Sequence, residues 1–344
     1  MNYYLLNNIN YMLFMFIMML ILSILFSLTF LNMLGVYMMM ELNLISYLPL
    51  LIFYNNNFKT EIVFIYFIIQ SLSSMMFLLS IIFMMFLMEN INIGIKVIEM
   101  LYMFSLLIKL GCAPFHFWYM IMMKYMSWMN CYLLSTVQKI MPMIFMYQFK
   151  NNLIYLVIFL CSFVSFFSLN EVSLRMIMAY SSINHLGWML MSIIMNFFIW
   201  FLYFIIYSII LYFLMNMFNM YYVYYINQLQ VFIKMKYIMY FFSLLMFSLG
   251  GMPPFLGFYM KWFVMELFLN NMVILIYLFM IIGSMMMLFN YIRLIYVMFL
   301  FYKDENLMNM FFFYFNNFNN YKFFNILILY MSFFLMMLSL IFLM

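Results

Sequence analysis

Glu41, Lys109, Lys139 and Lys261 stand inside or beside long apolar runs that are otherwise almost free of charge. One carboxyl and three amines so placed have one obvious chemistry, the holding and exchange of protons. On insertion scales a centrally placed Lys or Asp in lipid costs about 2.5–3.5 kcal/mol, and an intramembrane ionisable residue marks an ion or proton pathway by default. Only 6% of the residues are charged, so structure alone gives little reason to place charges there. Desolvation disfavours the charged form of an amine and a neighbouring carboxylate favours it. Lysines linked by polar groups and water can therefore pass protons, with occupancy set by nearby charge.

Each residue also has a plainer reading. Glu41, in Met38-Met39-Met40-Glu41-Leu42-Asn43, pairs most naturally with Lys109; the alternative is a structural carboxylate bonded to nearby backbone or hydroxyl. Lys109 precedes a Gly111–Pro114 break, where freed carbonyls can meet an ammonium or water; its alternative is snorkelling to an interface. Lys139 lies near the centre of its apolar run, from which snorkelling is hard. Lys261 follows a second Gly/Pro break, and Trp262 beside it marks either a packed core or an interface. His185, in Ser181-Ser182-Ile183-Asn184-His185, is a candidate relay between the lysine sites, or a neutral packed histidine. His116 lies four residues after Cys112, a weak metal signal that reads better as packing or pathway lining. Glu171 and Arg175 read as a surface pair one turn apart, and Glu61 suits a helix N-terminus.

The elements that must position these groups follow from hydropathy. The chain has 344 residues, of which 72% are hydrophobic, and its mean hydropathy is +1.16. The runs are long and apolar all round, as in helices, and lack the alternation of a barrel. The expectation is an all-α polytopic membrane protein with about eleven transmembrane helices, at 3–26, 30–54, 61–88, 97–122, 128–148, 152–169, 173–195, 198–225, 237–265, 272–301 and 323–343. Leu107 to Trp118 and Leu249 to Trp262 each join Gly, Pro-Phe, Lys and Trp, so the fourth and ninth helices should be broken. Such breaks at matching places in two halves point to a transporter pathway. One domain over 1–344 would then comprise a five-helix unit at 1–148, an inverted one at 152–301 and a C-terminal helix at 323–343.

Composition also speaks to compartment. The chain has 50 Met, 48 Phe and 31 Tyr, and Ala stands only at Ala113 and Ala179. Phe and Tyr have A/T-rich codons, Ala has G/C-rich ones, and the Met excess fits a code that reads ATA as Met. An organelle-encoded chain is expected, and the first basic residue, Lys59, leaves no room for a cationic signal or Arg-rich presequence. By alternate loops, one side collects Lys59, Lys124, Arg175, Lys234, Lys236, Arg293, Lys303 and Lys322, and the other Lys96 and Lys150. The positive-inside rule puts the first set, and the N-terminus, on the matrix side and the C-terminus in the intermembrane space. Cys112, Cys131 and Cys161 lack CxxC spacing, and neither GxGxxG nor GxxxxGK[ST] occurs. No metal, cluster, nicotinamide or flavin is expected in this chain. The net charge of +5 reads through topology, and no nucleic acid is expected as a partner.

The ordered set Glu41-Leu42-Asn43-Leu44, Thr60-Glu61, Gln70-Ser71, Lys109 to Trp118, Gln138-Lys139-Ile140-Met141-Pro142, Arg175 to Trp188 and Gly250 to Trp262 resembles the chain 2 family of mitochondrial NADH:ubiquinone oxidoreductase. These are antiporter-like, proton-pumping subunits of respiratory complex I. An eleven-helix chain resembles the animal forms, which lack three N-terminal helices of bacterial relatives. The resemblance implies a subunit without a redox centre, with NAD, FMN, iron–sulfur clusters and ubiquinone in partner subunits. It implies that Glu41 pairs with Lys109, and that Lys139 and Lys261 continue the proton path. The implied partners are other membrane-arm and accessory subunits and inner-membrane lipids, cardiolipin among the candidates. The chain departs from the family pattern in three places: Val137 stands for a Trp, Ile65 for a Lys, and Tyr119-Met120-Ile121 where Pro-Glu is common. The rival readings are a stand-alone cation/proton antiporter and a structural membrane spacer.

Overall fold

Long apolar runs satisfy their backbone internally only as helices, and among the described residues every regular element is a helix. The computed structural model describes residues 2–30, 32–54, 59–86, 92–148, 153–234, 236–253, 255–269 and 274–303. The predicted helix at 323–343 lies outside them. In chain order the helices are α1 (Asn2–Thr29), α2 (Met33–Tyr54), α3 (Lys59–Phe86), α4 (Asn92–Leu110), α5 (Phe117–Tyr125), α6 (Trp128–Ser135), α7 (Val137–Met146) and α8 (Leu153–Val164). A 3-10 turn (Ser165–Asn170) leads to α9 (Leu174–Met195) and α10 (Phe197–Tyr221), and a second (Ile226–Lys234) to α11 (Lys236–Gly250), α12 (Leu256–Leu269) and α13 (Ile274–Lys303). Within α1, α2, α3, α10 and α13 lie stretches long and apolar enough to cross a membrane unaided.

The chain divides after Ile154 into two compact units. In the first, α2 buries one stripe, Val36, Met40, Asn43, Leu44 and Tyr47, against its neighbours. The spacing of four, three, one and three is that of a single helical face. Leu34, Met38, Leu42 and Ile45 on the other side are exposed. Glu41 sits on the flank between the two. The buried stripe of α3 is partly polar: Ile62, Tyr66, Gln70, Ser73, Ser74 and Phe77. Glu61 lies in the first turn of α3, where the helix dipole favours an acid. In the second unit α9 is buried nearly all round from Ser181 to Ile193 and forms the core.

Seven buried serines are handled in one way. Ser23, Ser73, Ser80, Ser105, Ser162, Ser192 and Ser248 each donate to the carbonyl three residues back, at 2.6–2.7 Å. A buried hydroxyl in an apolar surrounding needs a partner, and its own helix supplies the nearest one.

The interruptions matter most for function. α4 ends at Leu110 and α11 at Gly250, each followed by a glycine with positive φ, Gly111 at 66° and Gly251 at 79°. Cys112 N–H donates to the Leu107 carbonyl at 3.3 Å and Gly111 N–H to Ile108 at 3.1 Å. Met252 N–H donates to Phe247 at 3.1 Å and Gly251 N–H to Ser248 at 3.2 Å. Both ends are Schellman motifs, which glycine at C′ makes possible. The span predicted at 128–148 is also split, at Thr136 (φ −121°, ψ −74°). Thr136 commits both its amide, at 3.0 Å, and its hydroxyl, at 2.7 Å, to the Tyr132 carbonyl. Pro142, inside α7, lacks the N–H that would reach back to the Gln138 carbonyl.

The second break is tightly closed. A Cβ on Gly257 would run into the Ser248 carbonyl oxygen, a backbone atom that cannot swing aside. Gly257→Ala is therefore expected to force α12 off α11 and destabilise the unit by at least the about 1–3 kcal/mol of overpacking. Thermal inactivation of the membrane-embedded protein reads this, and an unchanged midpoint would contradict it.

Candidate functional site

The first unit gathers its polar groups around a chamber. Met40, Asn43, Tyr66, Gln70, Lys109, Trp118, Tyr119, Gln138 and Lys139 all contribute to its wall, which encloses about 30 Å³ of space for water. One water needs about 10–15 Å³ by this measure, so the chamber has room for about two. Segments of α2, α3, α4, α5, α6 and α7 line it, and the interruptions after α4 and between α6 and α7 bring helix ends to its wall.

Lys109 occupies the last turn of α4, where a cation is favoured by the helix dipole. Its ammonium contacts the Met40 sulfur at 3.2 Å and lies 5.4 Å from the centre of the Phe77 ring. Lys139 lies in the first turn of α7, is only 2% exposed, and sits 4.9 Å from the Tyr119 ring centre. Cation–π contact of this kind helps hold a desolvated ammonium. Trp118 donates to the Ile108 carbonyl at 3.1 Å, tying α5 back to the broken end of α4.

Glu41 is beside this arrangement and not in the chamber wall. Its Oε1 is buried without a hydrogen-bond partner, and no ion pair joins it to Lys109 within 4.0 Å. Met40, one residue earlier, holds the position facing the ammonium.

Three polar groups complete the chamber. Asn43 donates from Nδ2 to Gln138 Oε1 at 3.0 Å, and Gln138 Nε2 returns a bond to Asn43 Oδ1 at 3.4 Å. Tyr66 O–H donates to the same Gln138 Oε1 at 3.3 Å. Sequence reasoning assigned no role to Asn43 or Gln138 and missed Tyr66 altogether. The signal for Tyr66 was there: Tyr66, Gln70, Ser73 and Ser74 repeat at four, three and one on an apolar helix, and one polar face on such a helix must meet something polar.

The second unit has its own amine. Lys261 is 5% exposed, and its Nζ donates to the Gly250 carbonyl at 2.8 Å, the open C-terminal end of α11. The Lys261 side chain lies against the bare Cα of Gly251, where a Cβ would come within 2.9 Å of Nζ. The Trp188 ring centre is 5.9 Å from the ammonium. One turn before Trp188 on α9, His185 Nδ1 and the Tyr203 hydroxyl are 2.8 Å apart. His185, Tyr203, Tyr207, Ser248 and Met260 border a smaller cavity with about 10 Å³ for water, enough for one molecule at most. His185 thus lies one residue's reach from the helix that carries Lys261.

The other singled-out residues fall outside both chambers. Arg175 lies over the Tyr224 ring at 4.3 Å, and the Glu171 backbone carbonyl accepts from Arg293 at 2.9 Å. His116 Nδ1 is 3.3 Å from the Pro114 carbonyl oxygen and its ring stacks on Phe117. Among the described residues no three His, Cys, Asp or Glu side chains cluster as a metal would need.

Residues 30–287 match the family described as "NADH:quinone oxidoreductase/Mrp antiporter, TM". NADH-ubiquinone oxidoreductase chain 2 of Locusta migratoria is 36% identical over 281 residues, 79% of this chain and 81% of that protein. The protein of the same name from Anopheles gambiae is 36% identical over 315 residues, 89% of this chain and 90% of that one. A chain of respiratory complex I from Thermus thermophilus, solved with bound aureothin, superposes with a TM-score of 0.76 at 17% identity, over 83% of this chain and 70% of that chain. At that identity the likeness speaks to the fold, and the sequence relatives speak to the lineage: the chain belongs to the NADH:quinone oxidoreductase/Mrp antiporter membrane family, among its NADH-ubiquinone oxidoreductase chain 2 members.

Proposed function

We propose that this chain is a core membrane subunit of respiratory complex I that takes part in proton translocation coupled to electron transfer from NADH to ubiquinone. The observation that supports it best is the water-sized chamber with both Lys109 and Lys139 in its wall, in a member of this family. Two lysines in the wall of a space that admits water are the minimum a proton needs to hop between amines.

In this reading Glu41, Lys109, Lys139 and Lys261 are the ionisable groups of the path, and His185 with Tyr203 is a relay in the second unit. Glu41 sets the charge state of Lys109 by approaching or leaving it. Moving one charge against the membrane potential takes about 2.3 kcal/mol per 100 mV, which quinone chemistry in neighbouring subunits must supply. NAD, FMN, iron–sulfur clusters and ubiquinone belong to those subunits, and this chain carries no redox centre. It sits in the mitochondrial inner membrane with eleven spans in two inverted five-helix units plus a last helix, its N-terminus in the matrix and its C-terminus in the intermembrane space. Other membrane-arm and accessory subunits pack against it, with inner-membrane lipids such as cardiolipin between.

Lys139→Met tests the reading. Met keeps the length of the side chain and gives up the cation–π contact, about 0.5–2 kcal/mol, so the assembled complex should still form. Protons moved per NADH oxidised should fall, measured with a pH-sensitive dye in vesicles holding the complex. An assembled Lys139→Met complex that pumps at full yield would favour the structural-spacer reading.

A further inference from the structure

Asn43 and Gln138 make a reciprocal pair of amide hydrogen bonds between α2 and α7, at 3.0 and 3.4 Å, and Tyr66 adds a third bond to Gln138. Both amides are under one tenth exposed. Stability does not ask for them. Replacing two mutually bonded polar groups by apolar ones of like shape is close to neutral, and the other polar residue on the buried stripe of α2, Ser46, is satisfied within its own helix by the Asn43 carbonyl at 2.9 Å.

Their place on α2 suggests what they do. Successive residues on an α-helix are about 100° apart. Met40 and Asn43 therefore lie about 60° apart on one face, and Glu41 lies about 100° to the other side of Met40. Asn43 is locked to Gln138 and Met40 meets Lys109 at 3.2 Å. Glu41, with its buried and unpartnered Oε1, is held off that face. Turning α2 enough to bring Glu41 to Lys109 carries Asn43 away from Gln138 through the same angle. Asn has one fewer methylene than Gln and cannot follow. A swing of the Glu41 side chain alone would have to displace Met40, whose sulfur already meets the Lys109 ammonium at 3.2 Å.

We propose that the Asn43–Gln138 amide pair is a positioning clasp: closed, it presents Met40 to Lys109 and keeps Glu41 away; open, it lets Glu41 pair with Lys109. Asn43, Gln138 and Tyr66 are thus positioning residues that act through Lys109, and this rests on the reading of Lys109 as a proton-carrying group. The clasp also joins the helix of Glu41 to the helix of Lys139, so the two lysine sites of the first unit cannot change state independently.

The test is the structure and proton yield of the assembled complex bearing Asn43→Leu with Gln138→Leu, made at the matching positions of an editable relative. The expected result is Glu41 within ion-pair distance of Lys109, with NADH oxidation continuing and a loss of protons moved per NADH. The swapped amides, Asn43→Gln with Gln138→Asn, should restore both the closed clasp, with Met40 on Lys109 and Glu41 away, and the yield. Where the double Leu variant does not assemble, Asn43→Leu alone leaves Gln138 bonded to Tyr66 and gives the same reading. Lys109 remaining on the Met40 sulfur in the Leu variant, or full yield without the clasp, would overturn the proposal. Lys109→Met is the control: if it pumps normally, the proton-carrying reading of Lys109 fails, while the Glu41–Lys109 distance still judges the clasp.

Discussion

Lys261→Arg yields an assembled complex that oxidises NADH and moves few or no protons through the second unit. Lys261 Nζ bonds to the Gly250 carbonyl at 2.8 Å, and that carbonyl has lost its helical donor to the break. A guanidinium meets the same need: it carries five donors, its charge suits a helix C-terminus, and it stacks on aromatic faces such as that of Trp188. Packing and capping therefore survive the change. Deprotonation does not, because Arg keeps its proton in proteins. A role as a fixed positive cap predicts full proton yield from Lys261→Arg; a proton-exchanging role predicts its loss. Lys261→Met is the companion. It removes both the charge and the hydrogen bond, leaving a buried carbonyl unmet at about 1–3 kcal/mol, so it should lower stability as well as yield. Full pumping by Lys261→Arg would assign Lys261 to structure.

The second large effect is expected at Glu41 and Lys109, where Glu41→Gln and Lys109→Met should each cost more than half of what the pair costs together. Glu41 has a buried oxygen with no hydrogen-bond partner, so its charge is already poorly compensated. Lys109 is the cation on the adjoining helix, reaching the residue beside Glu41. Removing either leaves the other charge alone in a medium of low dielectric, which is the costly outcome; removing both relieves it. Coupling of this kind runs to about 0.5–3 kcal/mol. The two single variants and the double, compared for proton yield and thermal inactivation of the complex, measure it. Strictly additive losses would mean the groups do not sense each other, and the gating role given to Glu41 would go with them.

Charge in an apolar run is a strong signal, so Glu41, Lys109, Lys139 and Lys261 are legible before any fold is known. A glycine followed by proline is another, and it foretells the ends of α4 and α11. The split at Thr136 is not legible in the same way, because threonine occurs in intact helices as often as at their ends. What makes it a break is its backbone, at φ −121° and ψ −74°, which residue type does not announce. The same applies to the turn of α2. Sequence places Glu41 next to the residue that meets Lys109, but a rotation of one residue decides whether Met40 or Glu41 faces that amine. Hydropathy cannot decide it, since the flanking positions are Met or Leu on both faces. Tyr66 hides for a related reason. Among 31 tyrosines, one with a working hydroxyl stands out only by what lies across the chamber.

The inward-turned serines have a consequence for the whole assembly. A machine that moves charge against a voltage must also insulate between strokes. A row of free hydroxyls along a helix would carry protons whether or not the machine was working. Here Ser73, Ser80, Ser105, Ser192 and Ser248 have each committed their proton to their own helix. A leak through them would have to break an internal hydrogen bond at every step. On the proposed reading, the space walled by Lys109 and Lys139 is then where water and a lysine together can open or close the circuit.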